Sequence, residues 1–250
     1  MKLLKNLVGC IAVSLMIAVG FRGVDLIESS FASSFDLAKQ NALLRSVKID
    51  TMSASWSGVI YQKNHDDGFL VLTIIHEDAM KELHDSGFPY PLVSLESGER
   101  HFAEVIAWDS CSEVAMIRLA DNDRRYMPRV RINDSNLHYG ESLFTFGHPL
   151  GSKLPQYAEG VITAKGDVIK ECGLATNGVS SSAMPGATGS GVYDNDGRLI
   201  GLVIAVAAYE LYGEDRNGNV VVVSKMPIPS MGRIVSADDI VKLLETNHLL

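Results

Sequence analysis

Three stretches of this chain carry groups that could work together in chemistry. His76 closes the apolar run VLTIIH, Glu113 opens the run EVAMIRL, and Thr188 sits among glycines in PGATGSG. Acyl transfer by a hydroxyl needs a base to take its proton and an acid to orient that base. It also needs backbone N–H groups aimed at the developing oxyanion. Glycines beside the hydroxyl residue let the chain turn so that those N–H groups converge, and Gly186 and Gly189 meet that need. Taken singly, each stretch has a plainer reading: a structural histidine, a solvated strand end and a glycine turn. Their order along the chain is what joins them.

The elements that must position these residues are short and β-rich. WSGVIYQ, GFLVLTIIH, YPLVSLES, RHFAEVIAWD and VAMIRLA are separated by Gly, Asn, Asp and Ser. LESGERHF reads as a hairpin turn. A polar stretch, ADNDRRYMPRVRINDSNLHYG, then looks like a connection between two halves. Strands resume with ESLFTFG, YAEGVITAKGDVI, GSGVYD, RLIGLVIAVAAY and NVVVVSKMPI, and YDNDGRLIG reads as another hairpin. SADDIVKLLETNHLL is a helix, with Ser236 as its N-cap and acidic residues in the first turn. Two blocks of about six strands and a terminal helix predict an all-β fold of two barrels. Strand pattern alone does not separate this from a sandwich.

A net charge of −8 and the lack of a basic run argue against a nucleic-acid partner. There is no zinc-type cysteine spacing and no P-loop, so neither a metal nor a cofactor is expected. At the N-terminus Lys2 and Lys5 precede the apolar run Leu7–Phe21, the composition of a secretory signal peptide or signal-anchor. The run is shorter than a usual membrane span, so a buried helix is the alternative. With positive charge before the segment, the remainder is expected outside the cytoplasm, periplasmic or extracellular, tethered by residues 7–21 if the segment is not cleaved. Cys111 and Cys172 would then face an oxidising compartment, where either a bridge or two buried thiols would be compatible with the sequence.

From Trp56 to about Leu244 the chain resembles the trypsin-like serine peptidases, and among them the Deg/HtrA type. SGVIYQKNHDDGFLVLTIIHEDAM resembles the family's opening hairpin and its Leu-Thr-x-x-His. AEVIAWDSCSEVAMIRL resembles the segment of the orienting acid. YGESLFTFGHPLG, EGVITAKG, PGATGSGVYDNDGRLIGLVIAV and VVSKMPIP resemble four further motifs in the family's order. The resemblance implies two six-stranded antiparallel β-barrels with the site in the cleft between them. It implies a protease domain without a PDZ domain, since the sequence ends at Leu250. It places His76 on the general base, Glu113 on the orienting acid and Thr188 on the nucleophile. The backbone N–H groups of Gly186 and Thr188 fall on the oxyanion hole. The domain ranges expected are 1–22 for the export segment, 23–45 for a linker or short helix and 46–120 for the first barrel. They continue with 121–139 for the connection, 140–230 for the second barrel and 231–250 for the helix.

Four departures from the family pattern cluster at the chemistry. Thr188 stands for Ser, and its extra methyl restricts χ1 and crowds the approaching carbonyl. Glu113 stands for Asp, Ile75 for a small residue and Ala187 for Asn or Asp. Ser190 is an alternative hydroxyl, although it matches a glycine that follows the nucleophile. Two functions follow. One is an exported endopeptidase acting on unfolded or extended polypeptide, its specificity pocket formed by Ser182, Ile204, Ala205 and Val206 and suited to a small aliphatic P1 residue. The other is a pseudopeptidase that binds a peptide strand without cutting it. The oligomeric state stays open.

Overall fold

The computed structural model describes residues 36–64, 68–85, 90–119, 127, 129–133, 137–168, 173–181 and 185–249. The segment 7–21, Cys10, Cys172, Ser182 and parts of the polar connection lie outside the described residues. The chain divides into a unit up to Gln40, of which residues 36–40 are described and helical, and a unit Asn41–Leu250. In the second unit, residues 41–45 are helical and lead directly into the first strand. Among the described residues no helix is long and apolar enough to cross a membrane.

The second unit holds two closed antiparallel barrels. The first comprises β1 (Ser46–Asp50), β2 (Ser55–Asn64), β3 (Gly68–Ile74), β4 (Leu92–Ser94), β5 (Arg100–Trp108) and β6 (Val114–Leu119). They close in the order β1-β2-β3-β6-β5-β4. A helix, α1 (Glu77–Asp85), is inserted after β3. The second barrel comprises β7 (Ser142–Gly147), β8 (Gln156–Val168), β9 (Ala175–Val179), β10 (Gly191–Asp194), β11 (Leu199–Glu214) and β12 (Val220–Ser236). It closes in the order β10-β11-β12-β9-β8-β7. A helix, α2 (Ala237–Thr246), follows at once. The barrels expected from the motifs are therefore present, and the sandwich is excluded.

β-branched residues dominate the core of the first barrel: Val47, Ile49, Ile60, Val71, Val93 and Ile117 pack there with Leu119 and Phe69. β3 is buried from Phe69 to Ile74 instead of alternating, with Thr73 its one polar member there, because both of its faces are covered. One faces the barrel interior, and β3 also touches β11 of the second barrel. β6 is covered in the same way by α2. In α2 the Ser236 hydroxyl accepts from the Asp239 N–H, and Ile240, Leu243 and Leu244 form the buried stripe.

The hairpin from β10 to β11 follows directly on the Thr188 loop and is pinned by one buried carboxylate. Asp194 accepts from the Asp196 and Arg198 N–H groups at 3.0 and 2.9 Å, from Arg198 Nε at 2.8 Å and from Asn133 Nδ2 at 2.9 Å. Asn133 belongs to the inter-barrel connection, whose backbone is stitched to Leu199 on both sides. Asp194→Ala would leave these donors without their acceptor. It is expected to cost about 2–3 kcal/mol of stability, read as a lower urea midpoint at unchanged slope.

Candidate active site

His76 leaves the end of β3 and enters α1, where its carbonyl accepts from the Met80 N–H. Its imidazole is half exposed, and Nδ1 lies 2.7 Å from Glu113 Oε2. A carboxylate only accepts, so this contact puts the ring proton on Nδ1 and leaves Nε2 free to accept another. The Glu77 N–H reaches the other oxygen, Oε1, at 3.4 Å.

Glu113 is buried and held in the left-handed region, φ +58°, a conformation that costs a non-glycine residue about 1 kcal/mol or more. Two backbone bonds hold it there. Its N–H donates to Asp109 O at 2.7 Å, and its carbonyl accepts from the Ile75 N–H at 2.9 Å. The second bond ties the acid directly to the residue before His76. The turn leading in is built by Asp109, whose Oδ1 accepts from the N–H groups of Cys111 and Ser112 and from the Ser112 hydroxyl. Burial raises the pKa of Asp109, but these hydrogen bonds outweigh it and hold the carboxyl below its usual range. Cys111, within the same turn, is disulfide-bonded.

The Thr188 loop turns on two glycines, Gly186 (φ +89°) and Gly189 (φ +83°). Space as well as φ demands them. A Cβ on Gly186 would lie 2.8 Å from both His148 O and Leu150 N, and one on Gly189 would lie 2.0 Å from Ser57 O. Ser190 N–H closes the loop onto Ala187 O. Neither the Gly186 N–H nor the Thr188 N–H makes a hydrogen bond among the described residues. The loop thus presents two unspent donors at the positions expected for an oxyanion hole. The Thr188 side chain is partly exposed, whereas Ser190 is buried. Ser190 Oγ faces inward, so close to Gly147 that a Cβ there would meet it at 1.9 Å. It borders a cavity of about 30 Å³ with Thr145, Ala187 and Val203. The alternative hydroxyl is therefore out of reach of a substrate carbonyl.

The structure brings His76 and Glu113 into direct contact. It seats the Thr188 loop against Ser57 and Thr73, the latter three residues before His76. His76 and Thr188 are not hydrogen-bonded to each other. Of the expected specificity residues, Ile204 is buried within β11. Ala205 and Val206 are described through their backbone, paired with Arg233 and Gly232, and Ser182 lies outside the described residues.

Two residues with no role assigned from the sequence hold the loop. Ser57, on β2, gives its N–H to Thr188 O at 2.8 Å and its hydroxyl to Gly186 O at 2.8 Å. The same hydroxyl accepts from the His148 N–H at 2.8 Å, and the Ser57 carbonyl accepts from Thr73 Oγ1 at 2.6 Å. One serine of the first barrel therefore grips both ends of the loop of the second. His148 follows β7, its ring almost wholly buried and its Nδ1 2.9 Å from Ser152 O. Burial disfavours its imidazolium, and Lys48 adds to this. The Ser152 carbonyl, Asp50 and the Ser46 backbone oppose without cancelling, so its pKa lies below the ordinary 6.5. Both residues stand inside quoted motifs, WSGVI and FGHPLG, but only their contacts across the barrels reveal the roles.

Ser57→Ala would leave the buried His148 N–H without a partner and release the Gly186 carbonyl. The expected cost is about 1–3 kcal/mol, measured by urea denaturation. His148 takes a proton near pH 6.5 when unfolded and only at lower pH when folded. Its contribution to stability is complete above that pH and is lost as pH falls through 6.5 towards the lower folded value. Unfolding free energies from pH 8 to 5 are expected to fall more steeply for the native chain than for His148→Gln.

Comparison with known proteins agrees with this fold. Residues 57–202 match the family described as trypsin-like peptidase domain. Among solved structures the fold is similar to a mutant, inactive form of Rv3671c from M. tuberculosis H37Rv. That likeness has a TM-score of 0.59 at 14% identity, over 84% of this chain and 90% of that one. No curated protein matches the sequence. With more than half of its length matched by that family and two closed six-stranded barrels, the chain belongs to the trypsin-like peptidases.

Proposed function

We propose that the protein is an exported endopeptidase that cleaves extended polypeptide by acyl transfer, with Thr188 as its nucleophile. The observation that carries this reading is the 2.7 Å bond from His76 Nδ1 to Glu113 Oε2, which leaves Nε2 as a base. In the first step Nε2 takes the Thr188 hydroxyl proton as Oγ1 attacks the scissile carbonyl. The oxyanion that forms is received by the N–H groups of Gly186 and Thr188. Collapse breaks the C–N bond, His76 returns the proton to the leaving amine, and an acyl-threonine remains. Water, deprotonated by His76, then hydrolyses that ester and restores the hydroxyl. Glu113 holds the ring and stabilises the imidazolium without itself taking the proton.

The pocket residues Ser182, Ile204, Ala205 and Val206 carry no charge, which supports a small aliphatic side chain at P1. Export is supported by the lysine-flanked apolar segment and by the disulfide at Cys111, which needs an oxidising compartment to persist. A second reading, a module that binds peptide without cutting, is favoured by the lack of a hydrogen bond between His76 and Thr188 and by the β-branched nucleophile.

The test is digestion of a labelled unfolded protein by the native chain, Thr188→Ala and Thr188→Ser, with cut sites read by mass spectrometry. Native cleavage after small aliphatic residues, abolished in Thr188→Ala, is the expected outcome. Activity in Thr188→Ser alone would mean a working site silenced by one methyl. Silence in all three, with the peptide still bound, would replace the peptidase by the binding module.

A further inference from the structure

Gly186 does not set the direction of its own N–H. That N–H shares a peptide plane with the Pro185 carbonyl, and in a trans peptide the two point opposite ways. A glycine at φ +89° tolerates rotation of that plane, so groups outside the residue must fix it. Two bonds do so. The Leu150 N–H donates to Pro185 O, and the Ser57 hydroxyl donates to Gly186 O on the next plane. With Pro185 O turned towards Leu150, the Gly186 N–H points away from the turn that holds Leu150.

That turn is a single 3-10 turn, Pro149–Gly151, which follows β7. It touches both barrels: a Cβ on Gly151 would lie 3.3 Å from Ser55 Oγ of β2, and Gly186 lies against His148 O on the other side. Leu150 is at its centre in the left-handed region, φ +54°, which leucine does not favour. The Leu150 side chain is 70% exposed, so its packing does not hold it there. The turn is closed instead by His148. Its ring is buried, and Nδ1 lies 2.9 Å from Ser152 O. A carbonyl only accepts, so Nδ1 carries a proton and bridges the turn from residue 148 to residue 152. The Gly151 N–H to His148 O at 3.1 Å and the Ser152 N–H to Pro149 O at 3.0 Å run beside it. His148 also stands behind the second bond, since its own N–H donates at 2.8 Å to the Ser57 hydroxyl that holds Gly186 O.

We propose that His148 is a positioning residue for peptide cleavage, and that the turn it closes presents the Leu150 N–H to Pro185 O and so aims the Gly186 N–H at the developing oxyanion. This rests on the reading of the Gly186 N–H as an oxyanion donor. His148 touches no substrate in this role. When the turn opens, the Pro185–Gly186 plane is free to rotate and the donor is withdrawn.

The experiment compares the full native chain in detergent micelles with His148→Leu, which removes the ring donor, and His148→Asn, whose amide keeps a donor near the place of Nδ1. Leu150→Val is a second probe of the turn, because a β-branched residue opposes a positive φ and the side chain replaced is exposed. Amide exchange at Leu150 is followed by NMR, and kcat and KM are measured on a labelled peptide. In His148→Leu and Leu150→Val the Leu150 N–H is expected to exchange about tenfold faster or more. In the same two variants kcat is expected to fall about tenfold or more with KM within about twofold, part of the roughly 10²–10³ that loss of a whole oxyanion donor costs. His148→Asn is expected to recover most of both. Unchanged Leu150 exchange in a folded His148→Leu overturns the inference, as does a loss confined to KM or a His148→Asn no better than His148→Leu. Where His148→Leu does not fold, unchanged exchange and kcat in Leu150→Val overturn it. A native chain that cuts nothing overturns the peptidase reading instead, and the exchange rates alone then decide whether His148 holds the Pro185 plane.

Discussion

The contact on which the rest of the site depends is the grip of Ser57 on the Thr188 loop. Its N–H holds Thr188 O, and its hydroxyl joins Gly186 O to the His148 N–H. Two barrels that fold largely from local hairpins need something to set one against the other at the level of tenths of an ångström. Here a strand of the first barrel enters so closely that Gly189 has no room for a side chain. The loop's shape is thereby a property of both barrels. Each of these buried hydrogen bonds is modest in net energy, but leaving one unmade would cost more, which makes the junction specific.

A second constraint holds His76 and Glu113 together. Glu113 takes a left-handed turn that glutamate does not favour, and the Asp109 carboxylate builds the turn that leads into it. The backbone bond between Ile75 and Glu113 ties Glu113 to the residue before His76. A carboxylate with one more methylene than aspartate still meets Nδ1 at 2.7 Å, because the backbone beneath it is placed to suit. The strain is offset by the Asp109 turn and the covered strands around it.

β11, which bonds the Thr188 loop through Val203, continues beyond the barrel paired with β12 as far as Glu214.

Much of the fold was legible in the sequence because strands, turns and caps are local. The apolar runs from WSGVIYQ to NVVVVSKMPI, the turn YDNDGRLIG and the Ser236 cap all announce their structures through residues in immediate succession. The motifs that carry His76, Glu113 and Thr188 likewise span only a few residues each. Two barrels instead of a sandwich followed from the order of motifs, not from periodicity, because alternation is the same in both. What only the tertiary structure decided is everything that joins distant segments. The hydroxyl of Ser57 reaches 129 residues along the chain to Gly186, and Ser190 is buried while Thr188 stays partly exposed. A composition pattern cannot record such contacts, since a serine in WSG looks the same whether its hydroxyl meets water or a carbonyl of the other barrel.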